Sequence, residues 1–132
     1  MTTADIEEPF KVNVFSFGFK YGSPEDVTIM LDVRFLPNPY WEEGMRHLTG
    51  LESAVADYVL KSTSGKEFME RLIPLFTFLV EQNKAVGKSE MRIGVGCTGG
   101  HHRSVAVVEK LSSLLDDTSV SLTTYHRDLG KE

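Results

Sequence analysis

Cysteine is nearly absent from this chain, since only Cys97 occurs among 132 residues. A single cysteine excludes an intrachain disulfide and is typical of proteins in a reducing compartment. No apolar run approaches the roughly 20 residues that a membrane-spanning helix needs. Residues 1–10 also lack the apolar segment that signal peptides carry. We therefore predict a cytoplasmic protein that makes no contact with a membrane.

Basic residues are in short supply as well, with 14 Lys and Arg against 19 Asp and Glu, a formal net charge of -5. Proteins that mainly bind nucleic acid usually present a basic face, so this charge disfavours that class without excluding a local basic patch. The P-loop pattern G-x-x-x-x-G-K-[ST] is missing, so no nucleotide cofactor is predicted for this chain. The length fits one domain, which we place at 11–132 behind a flexible tail at 1–10.

The apolar pattern predicts seven elements in the order β, β, α, α, β, α, β. The second strand is apolar enough to be buried on both faces. Ser64 and Glu67 have the spacing of a capping box at the start of the second helix. This order favours an α/β layered fold with helices packed on a largely parallel sheet, a mixed sheet being the alternative. The predicted strands are 11–17, 27–33, 91–96 and 120–124. The first predicted helix begins near residue 51, and the other two span 64–85 and 104–117.

Polar residues follow all four predicted strands. Ligands bind at the carboxyl ends of strands in parallel sheets, so we expect these residues to converge. Two of them have a structural alternative: Lys20 as a solvated charge, and Asp32 as a partner of Arg34 or of the backbone. Two prolines after the second strand predict a long ordered loop, 35–50, that carries Trp41. The converging residues are Lys20, Asp32, Arg34, the loop from Cys97 to Arg103, and His126 with Arg127.

The stretch from Gly94 to Val105 joins the third strand to the last helix through a glycine-rich turn. Such a turn points backbone N–H groups and the positive end of a helix dipole at one spot, which suits an anion. Arg103 would lie in the first helical turn, where the dipole disfavours a cation unless an anion is bound. The sequence therefore predicts a phosphate loop between this strand and the following helix.

The spacing of Cys97 and Arg103 also fits the C-x5-R-S pattern of cysteine-dependent phosphatases. In those enzymes a thiolate attacks phosphorus while the arginine binds two phosphate oxygens. Gly96 stands where such phosphatases carry a histidine, and neither Asp32 nor Asp128 is marked by spacing as the acid. Cys97 can equally be a small buried residue at a strand end, so an enzymatic activity stays open and is the less favoured reading.

The adjacent histidines of the loop, His101 and His102, have no Cys, Asp or Glu at ligand spacing. We therefore predict no metal site. His102, next to Arg103, is the better candidate for a phosphate donor or a general acid or base.

Five motifs, which occur in the family's order along the chain, resemble the C-terminal domain of the RapZ family of RNase adapter proteins. They are G-C-T-G-G-H-H-R-S-V at 96–105, S-F-G-F-K-Y-G at 16–22, D-V-R-F-L-P-N-P at 32–39 and H-R-D-L at 126–129, with T-G-L at 49–51. The resemblance covers about 12–128. Family members carry a P-loop domain before this one, so a nucleotide site is expected only in that half.

The resemblance implies a non-enzymatic domain, similar in shape to a sugar-phosphate-binding subdomain of phosphofructokinase. It implies binding of glucosamine-6-phosphate and of small regulatory RNA, adaptation of an RNase, and self-association into a homo-oligomer. Asp32 would face the amino sugar, since a carboxylate suits an ammonium. Tyr40 stands where related sequences have histidine, Lys61 where some have arginine, and His101 where some have lysine. The ligand residues are then Thr98, Gly99, Gly100, His102, Arg103, Ser104, Asp32, Arg34, Lys20, Tyr40 and Lys61, with His126 and Arg127 for RNA.

Three functions remain in competition at this point. The first is a regulatory domain for an amino-sugar phosphate or another phosphorylated small molecule. The second is a phosphatase that uses Cys97 and Arg103. The third is a protein-interaction module with an anion-binding loop.

Overall fold

The computed structural model describes residues 9–115 and 120–131. The order of its elements confirms the predicted α/β layered fold. Two 3-10 turns, Phe19–Tyr21 and Pro39–Trp41, interrupt the loops. The strands are β1 (Lys11–Gly18), β2 (Ile29–Asp32), β3 (Glu90–Cys97) and β4 (Ser121–His126), and the helices are α1 (Ser53–Leu60), α2 (Thr63–Ala85) and α3 (Arg103–Leu115).

The four strands form one sheet in the order β2-β3-β1-β4. Every neighbouring pair is parallel, so the largely parallel prediction is confirmed and the mixed alternative does not apply to the described strands. The parallel arrangement brings the carboxyl ends of all four strands to one edge. That edge is where the sequence predicted the ligand residues.

The two faces of the sheet are packed differently. Val12, Val14 and Ile93 point to the face that carries the helices, where they join the main hydrophobic core with residues such as Val107 and Leu111. The opposite face carries the buried rings of Phe15 and Phe17. A Cβ on Gly96 would lie 2.5 Å from the Phe17 ring, so glycine in β3 makes room for the phenylalanines of β1.

The second strand differs from its prediction. Only Ile29–Asp32 forms β2, and it lies at the edge of the sheet with Met30 40% exposed. The prediction of burial on both faces was wrong because β2 pairs with β3 alone, and an apolar run in the sequence does not reveal which strand ends a sheet.

The capping-box prediction was also wrong. The helix α2 begins one residue earlier than predicted, at Thr63, and its N-cap is Ser62, whose Oγ accepts a hydrogen bond from the N–H of Gly65 at 3.0 Å. Ser64 lies inside the helix. Two serines two residues apart offered the same cap chemistry, and the backbone conformation decided between them.

The predicted tail and the predicted end of the last helix fall partly outside the described residues. Within them, Phe10 is buried in the core, although it was predicted as part of the tail, while residues 1–8 and 116–119 lie outside the description. No helix of the described part is both long and apolar enough to cross a membrane.

Candidate anion-binding site

The loop between β3 and α3 lies directly on the end of β1. Gly100 has a φ of +76°, and a Cβ on it would lie 2.7 Å from the backbone N of Gly18. A Cβ on Gly18 would in turn lie 2.5 Å from the carbonyl carbon of Gly99. The N–H of Lys20 donates to the carbonyl of Thr98 at 3.2 Å. Backbone contacts therefore fix the loop, and two glycines are needed for the close approach.

An open cleft of about 550 Å³ lies over this loop, within the size range of small-molecule sites. Four of its residues carry or can carry positive charge, and none of the residues lining it is a carboxylate. In a chain of net charge -5, this local excess of positive charge favours an anionic ligand. The lining residues are Lys20, Asn38, Tyr40, Trp41, Cys97, Thr98, Gly99, His101, His102 and Arg103.

The side chain of Arg103 occupies the base of this cleft and is only 6% exposed. Its Nη1 donates to the carbonyl of Arg34 at 2.6 Å and to that of Leu36 at 3.4 Å, and its Nη2 lies 3.5 Å from Thr98 Oγ1. Its Nε is buried and has no hydrogen-bond partner among the described residues. Carbonyls hold the guanidinium in place without neutralising its charge.

No ion pair among the described residues involves Arg103. Its position at the first residue of α3 adds to this imbalance, because the helix dipole disfavours a cation there. A buried donor without a partner costs about 1–3 kcal/mol. A phosphate bound beside the guanidinium would supply the missing negative charge.

Cys97 and Ser104 form a buried pair behind the loop. The Cys97 Sγ lies 3.1 Å from Ser104 Oγ and accepts the Ser104 N–H at 3.4 Å. Ser104 is fully buried and is not among the residues that line the cleft, while Cys97 reaches it but is almost fully buried. The Ser104 hydroxyl is therefore directed at the thiol. Gly100, although predicted as a ligand residue, is not among the residues that line the cleft, and its backbone packs against Gly18.

His102 connects the loop to the proline-rich segment 35–50. Its Nε2 lies 3.2 Å from the carbonyl oxygen of Arg46. Burial lowers the pKa of His102 below its ordinary value, and the neighbouring His101 and Arg103 lower it further, against the opposing effect of the backbone carbonyls. The N–H of Gly50 also donates to the carbonyl of His101 at 2.8 Å. A neutral His102 therefore holds one wall of the cleft.

Asp32 and Arg34 form an ion pair beside the cleft rather than in its lining. Their Oδ2 and Nη2 atoms are 2.6 Å apart, both side chains are about half-exposed, and the guanidinium lies over the Phe19 ring at 4.0 Å. The hydrogen bond from Arg34 lowers the pKa of Asp32, against a smaller opposing effect of burial. The structural alternative raised for Asp32 is thus observed, while contact with a ligand stays a prediction.

Lys61 lies away from the cleft. It caps α1, pairs with Asp57 at 3.4 Å, and lines a separate groove between the helices together with Lys66 and Lys110. The structure does not bring Lys61 together with the loop residues.

The residues at the end of β4 also lie at the carboxyl ends of the strands, but their polar atoms contact other residues of the fold. His126 Nδ1 lies 2.7 Å from Ser16 Oγ, and its Nε2 lies 2.8 Å from a Glu109 carboxylate oxygen. Arg127 pairs with Asp128 at 2.8 Å and donates to the carbonyl of Gly22 at 2.6 Å. His126 and Arg127 therefore use their polar atoms within the fold, and their contact with RNA stays a prediction.

Asp128 lies at the centre of that network and is fully buried. Burial alone would raise its pKa, but hydrogen bonds from Arg127, the Gly18 N–H and Lys131 outweigh it and lower the pKa to about 2. The Gly18 N–H is 2.7 Å from Asp128 Oδ2. Sequence reasoning considered Asp128 only as an acid, whereas the structure shows a carboxylate that stays ionised and fixes the end of β1.

Three lining residues, Asn38, Trp41 and His101, were not among the predicted ligand residues. For Asn38 and Trp41 the signal was present in the proline-rich loop, whose length suggested function without marking which side chains face the ligand. No cluster of three or more His, Cys, Asp or Glu side chains suited to a metal occurs within 9–115 and 120–131.

Comparison with known proteins agrees with these motifs. The family model described as the RapZ C-terminal domain matches residues 10–130. A nucleotide-binding protein of Bacillus cytotoxicus is 48% identical over 98% of this chain and 44% of its own length. One of Bacillus thuringiensis is 47% identical over the same shares, and one of Heliobacterium modesticaldum is 43% identical over 92% of this chain and 40% of its own length. The chain thus spans less than half the length of these relatives.

Proposed function

Since the chain belongs to the RapZ C-terminal domain family, we propose that it is a regulatory domain that binds an amino-sugar phosphate, such as glucosamine-6-phosphate, in the cleft over the β3–α3 loop. The observation that carries this proposal is Arg103, a nearly buried guanidinium held by backbone carbonyls with no carboxylate partner among the described residues. A phosphate monoester is the ligand chemistry that completes this arrangement.

In the proposed complex the phosphate lies against the Thr98–Arg103 loop. Since Nη1 of Arg103 is occupied by carbonyls and Nε is buried, Nη2, which makes only a long hydrogen bond of 3.5 Å to Thr98 Oγ1, is the guanidinium nitrogen left for a phosphate oxygen. Lys20, which also lines the cleft, adds a second positive charge. An ammonium group on the sugar would share the Asp32 carboxylate with Arg34, since Asp32 is half-exposed.

Titration with glucosamine-6-phosphate, followed by backbone amide shifts, tests the site. The amides of Thr98 to Arg103 should move first and saturate, and amides of β4 should follow only weakly. Inorganic sulfate at equal ionic strength is the control for general anion effects. Absence of any shift in the loop at millimolar ligand would reject the proposal.

We further propose that the ligand site serves an adapter role in which the domain contacts a small RNA and an RNase, and that copies of the chain associate. Family membership supports this, while the acidic charge means that any RNA contact must come from a local basic patch. RNA binding should weaken steeply as salt rises. Undetectable binding at low salt would remove the RNA part, and a monomer mass at high concentration would remove self-association.

The same loop supports a second candidate function, cysteine-dependent phosphate ester hydrolysis. The contact of Cys97 Sγ with the N–H and hydroxyl of Ser104 favours it. Against it, both proposed acids are held as carboxylates, Asp32 by Arg34 and Asp128 by Arg127 and Lys131. Turnover of a phosphate ester that Cys97→Ser abolishes would establish the hydrolase.

A further inference from the structure

The side chain of Trp41 lines the cleft although it is 72% exposed. It is the single tryptophan of the chain. Large aromatic side chains usually contribute most of their surface to a core or an interface. An exposed indole at the wall of an anion site is therefore apolar surface with no partner among the described residues other than the ring of Tyr40.

The turn that carries Trp41 is held in place. Its N-cap residue Asn38 accepts the Tyr40 N–H at 3.1 Å, and the Trp41 N–H donates to the Asn38 carbonyl at 3.2 Å. Arg46 donates to the Tyr40 carbonyl at 2.8 Å, and the rings of Tyr40 and Trp41 meet edge to face at 5.1 Å. The exposed ring is thus presented by an ordered turn, which reduces the entropy cost of using it to bind a ligand.

We infer that Trp41 is the stacking platform for the sugar ring of the phosphorylated ligand, so that the cleft reads two features: a phosphate on the loop and a closed ring on the indole. This inference rests on the proposed function, because it assumes that the phosphate lies at Arg103. The cleft volume of about 550 Å³ leaves space beyond a phosphate group alone.

The chemistry distinguishes a closed ring from an open chain. A pyranose presents a flat array of C–H groups on one face, which can cover an aromatic ring and remove apolar surface from water. An open-chain alditol has the same phosphate and amino groups, and one additional hydroxyl from the opened ring, but no fixed flat face. Trp41 should therefore contribute to affinity for the ring form and contribute little for the open chain or for inorganic phosphate.

The test uses three probes: glucosamine-6-phosphate, its borohydride-reduced open-chain alditol, and inorganic phosphate. Because Trp41 is the single tryptophan, its intrinsic emission reports directly on this position. Emission should change with glucosamine-6-phosphate and much less with the other two probes. Calorimetry on the same samples gives the affinities independently of fluorescence.

The variants are Trp41→Ala, Trp41→Phe and Phe78→Ala. Phe78 is an exposed aromatic on α2 (56% exposed) that does not line the cleft, so its truncation is the matched control. Trp41→Ala should weaken glucosamine-6-phosphate by about tenfold and the alditol by less than about twofold. Trp41→Phe should recover most of the loss, and Phe78→Ala should have no effect.

The outcomes separate this inference from the proposed function. Equal losses for ring and open-chain ligand in Trp41→Ala, or no loss for either, would overturn the stacking role while leaving phosphate binding intact. If none of the three probes binds the wild-type chain, the proposed function fails and the inference fails with it. Selective loss for the closed ring supports both.

Discussion

Arg103 follows β3 and Arg127 follows β4, two strands that end on the same side of the sheet with β1 between them, yet the fold treats their charges in opposite ways. Arg103 is held by two backbone carbonyls, which are neutral. Arg127 is held by the buried carboxylate of Asp128 and by the Gly22 carbonyl, and it lies over the Phe17 ring at 5.4 Å. The first arrangement holds a cation without neutralising its charge, whereas in the second a buried carboxylate of the fold neutralises the charge.

The same contrast recurs in two histidines. His102 has its Nε2 at a backbone carbonyl, and His126 has its Nε2 at the carboxylate of Glu109. The cleft is thus assembled with carbonyl acceptors, and the end of β4 is assembled with carboxylate acceptors. The type of acceptor, more than the presence of basic residues, distinguishes the proposed binding site from the structural network at the end of β4.

The largest expected effect on ligand affinity comes from replacing Arg103 with a neutral residue, and the same replacement of Arg127 is the comparison. Arg103→Gln should weaken glucosamine-6-phosphate binding by about 100-fold, because the positive charge and its charge-assisted hydrogen bonding to the phosphate are lost. Arg127→Gln should lower stability and change affinity by less than about twofold. Isothermal titration of both variants, with folding checked by circular dichroism, measures the difference. Equal loss of affinity in the two variants would remove the contrast.

Asp128→Asn should lower the free energy of unfolding at pH 7 by about 3 kcal/mol, because two cations lose a buried carboxylate. The folded pKa of Asp128 is about 2, below the unfolded value near 4. The carboxylate therefore stabilises the fold above about pH 4, and that contribution is lost as the pH falls towards 2.

Urea unfolding from pH 5 to pH 2 measures this dependence. The wild-type chain should lose about 2 kcal/mol over that range from Asp128, and Asp128→Asn should follow a flatter curve. Parallel curves for the two proteins would show that the buried pair does not set acid stability.

His102 should make a smaller contribution to the pH dependence of stability, in a higher pH range than Asp128. Its pKa is lower in the folded than in the unfolded state because of burial, so the neutral form stabilises the fold above the ordinary value near 6.5. Stability should fall as the pH drops below about 6.5, because the unfolded state then takes up a proton that the folded state does not. In thermal or urea unfolding, His102→Gln should show a weaker dependence over this interval. An unchanged slope would place the titrating group elsewhere.

The smallest effect is expected at the exposed pair. Asp32→Asn should change the free energy of unfolding by less than about 1 kcal/mol, since both partners are about half-exposed and water competes for them. Urea unfolding at low and at 0.5 M salt measures it, with Asp128→Asn as the buried counterpart. A loss as large as that of Asp128→Asn would show that exposure does not separate the two carboxylates.

The sequence was sufficient for the parts of this molecule that depend on local pattern. Alternating apolar residues in β1 and the strand–glycine–helix pattern around Cys97 predicted their elements to within one or two residues. The convergence of Lys20, the Thr98 loop and Arg103 followed from the assumption of parallel strands, which the sheet bears out.

The predictions that failed depended on contacts between residues that are far apart in the sequence. The edge position of β2 is a property of strand order, which no local pattern contains. Lys61, on the far side of α1, and Trp41, within the cleft, could not be told apart because tertiary packing decides which side chains face the loop. Asp128 is 110 residues away from the Gly18 N–H that it accepts, so no spacing could predict that pair.

The contact between Gly18 and Gly100 has a kinetic consequence. Because backbone lies close to backbone there, we expect the loop to be preformed, with no closed state that has to open before a ligand binds. Association at a preformed site of this kind proceeds in one step, with an observed rate that rises in proportion to ligand concentration and does not level off. For the proposed phosphorylated ligand, the rate of dissociation from Arg103 would then set how long the complex lasts.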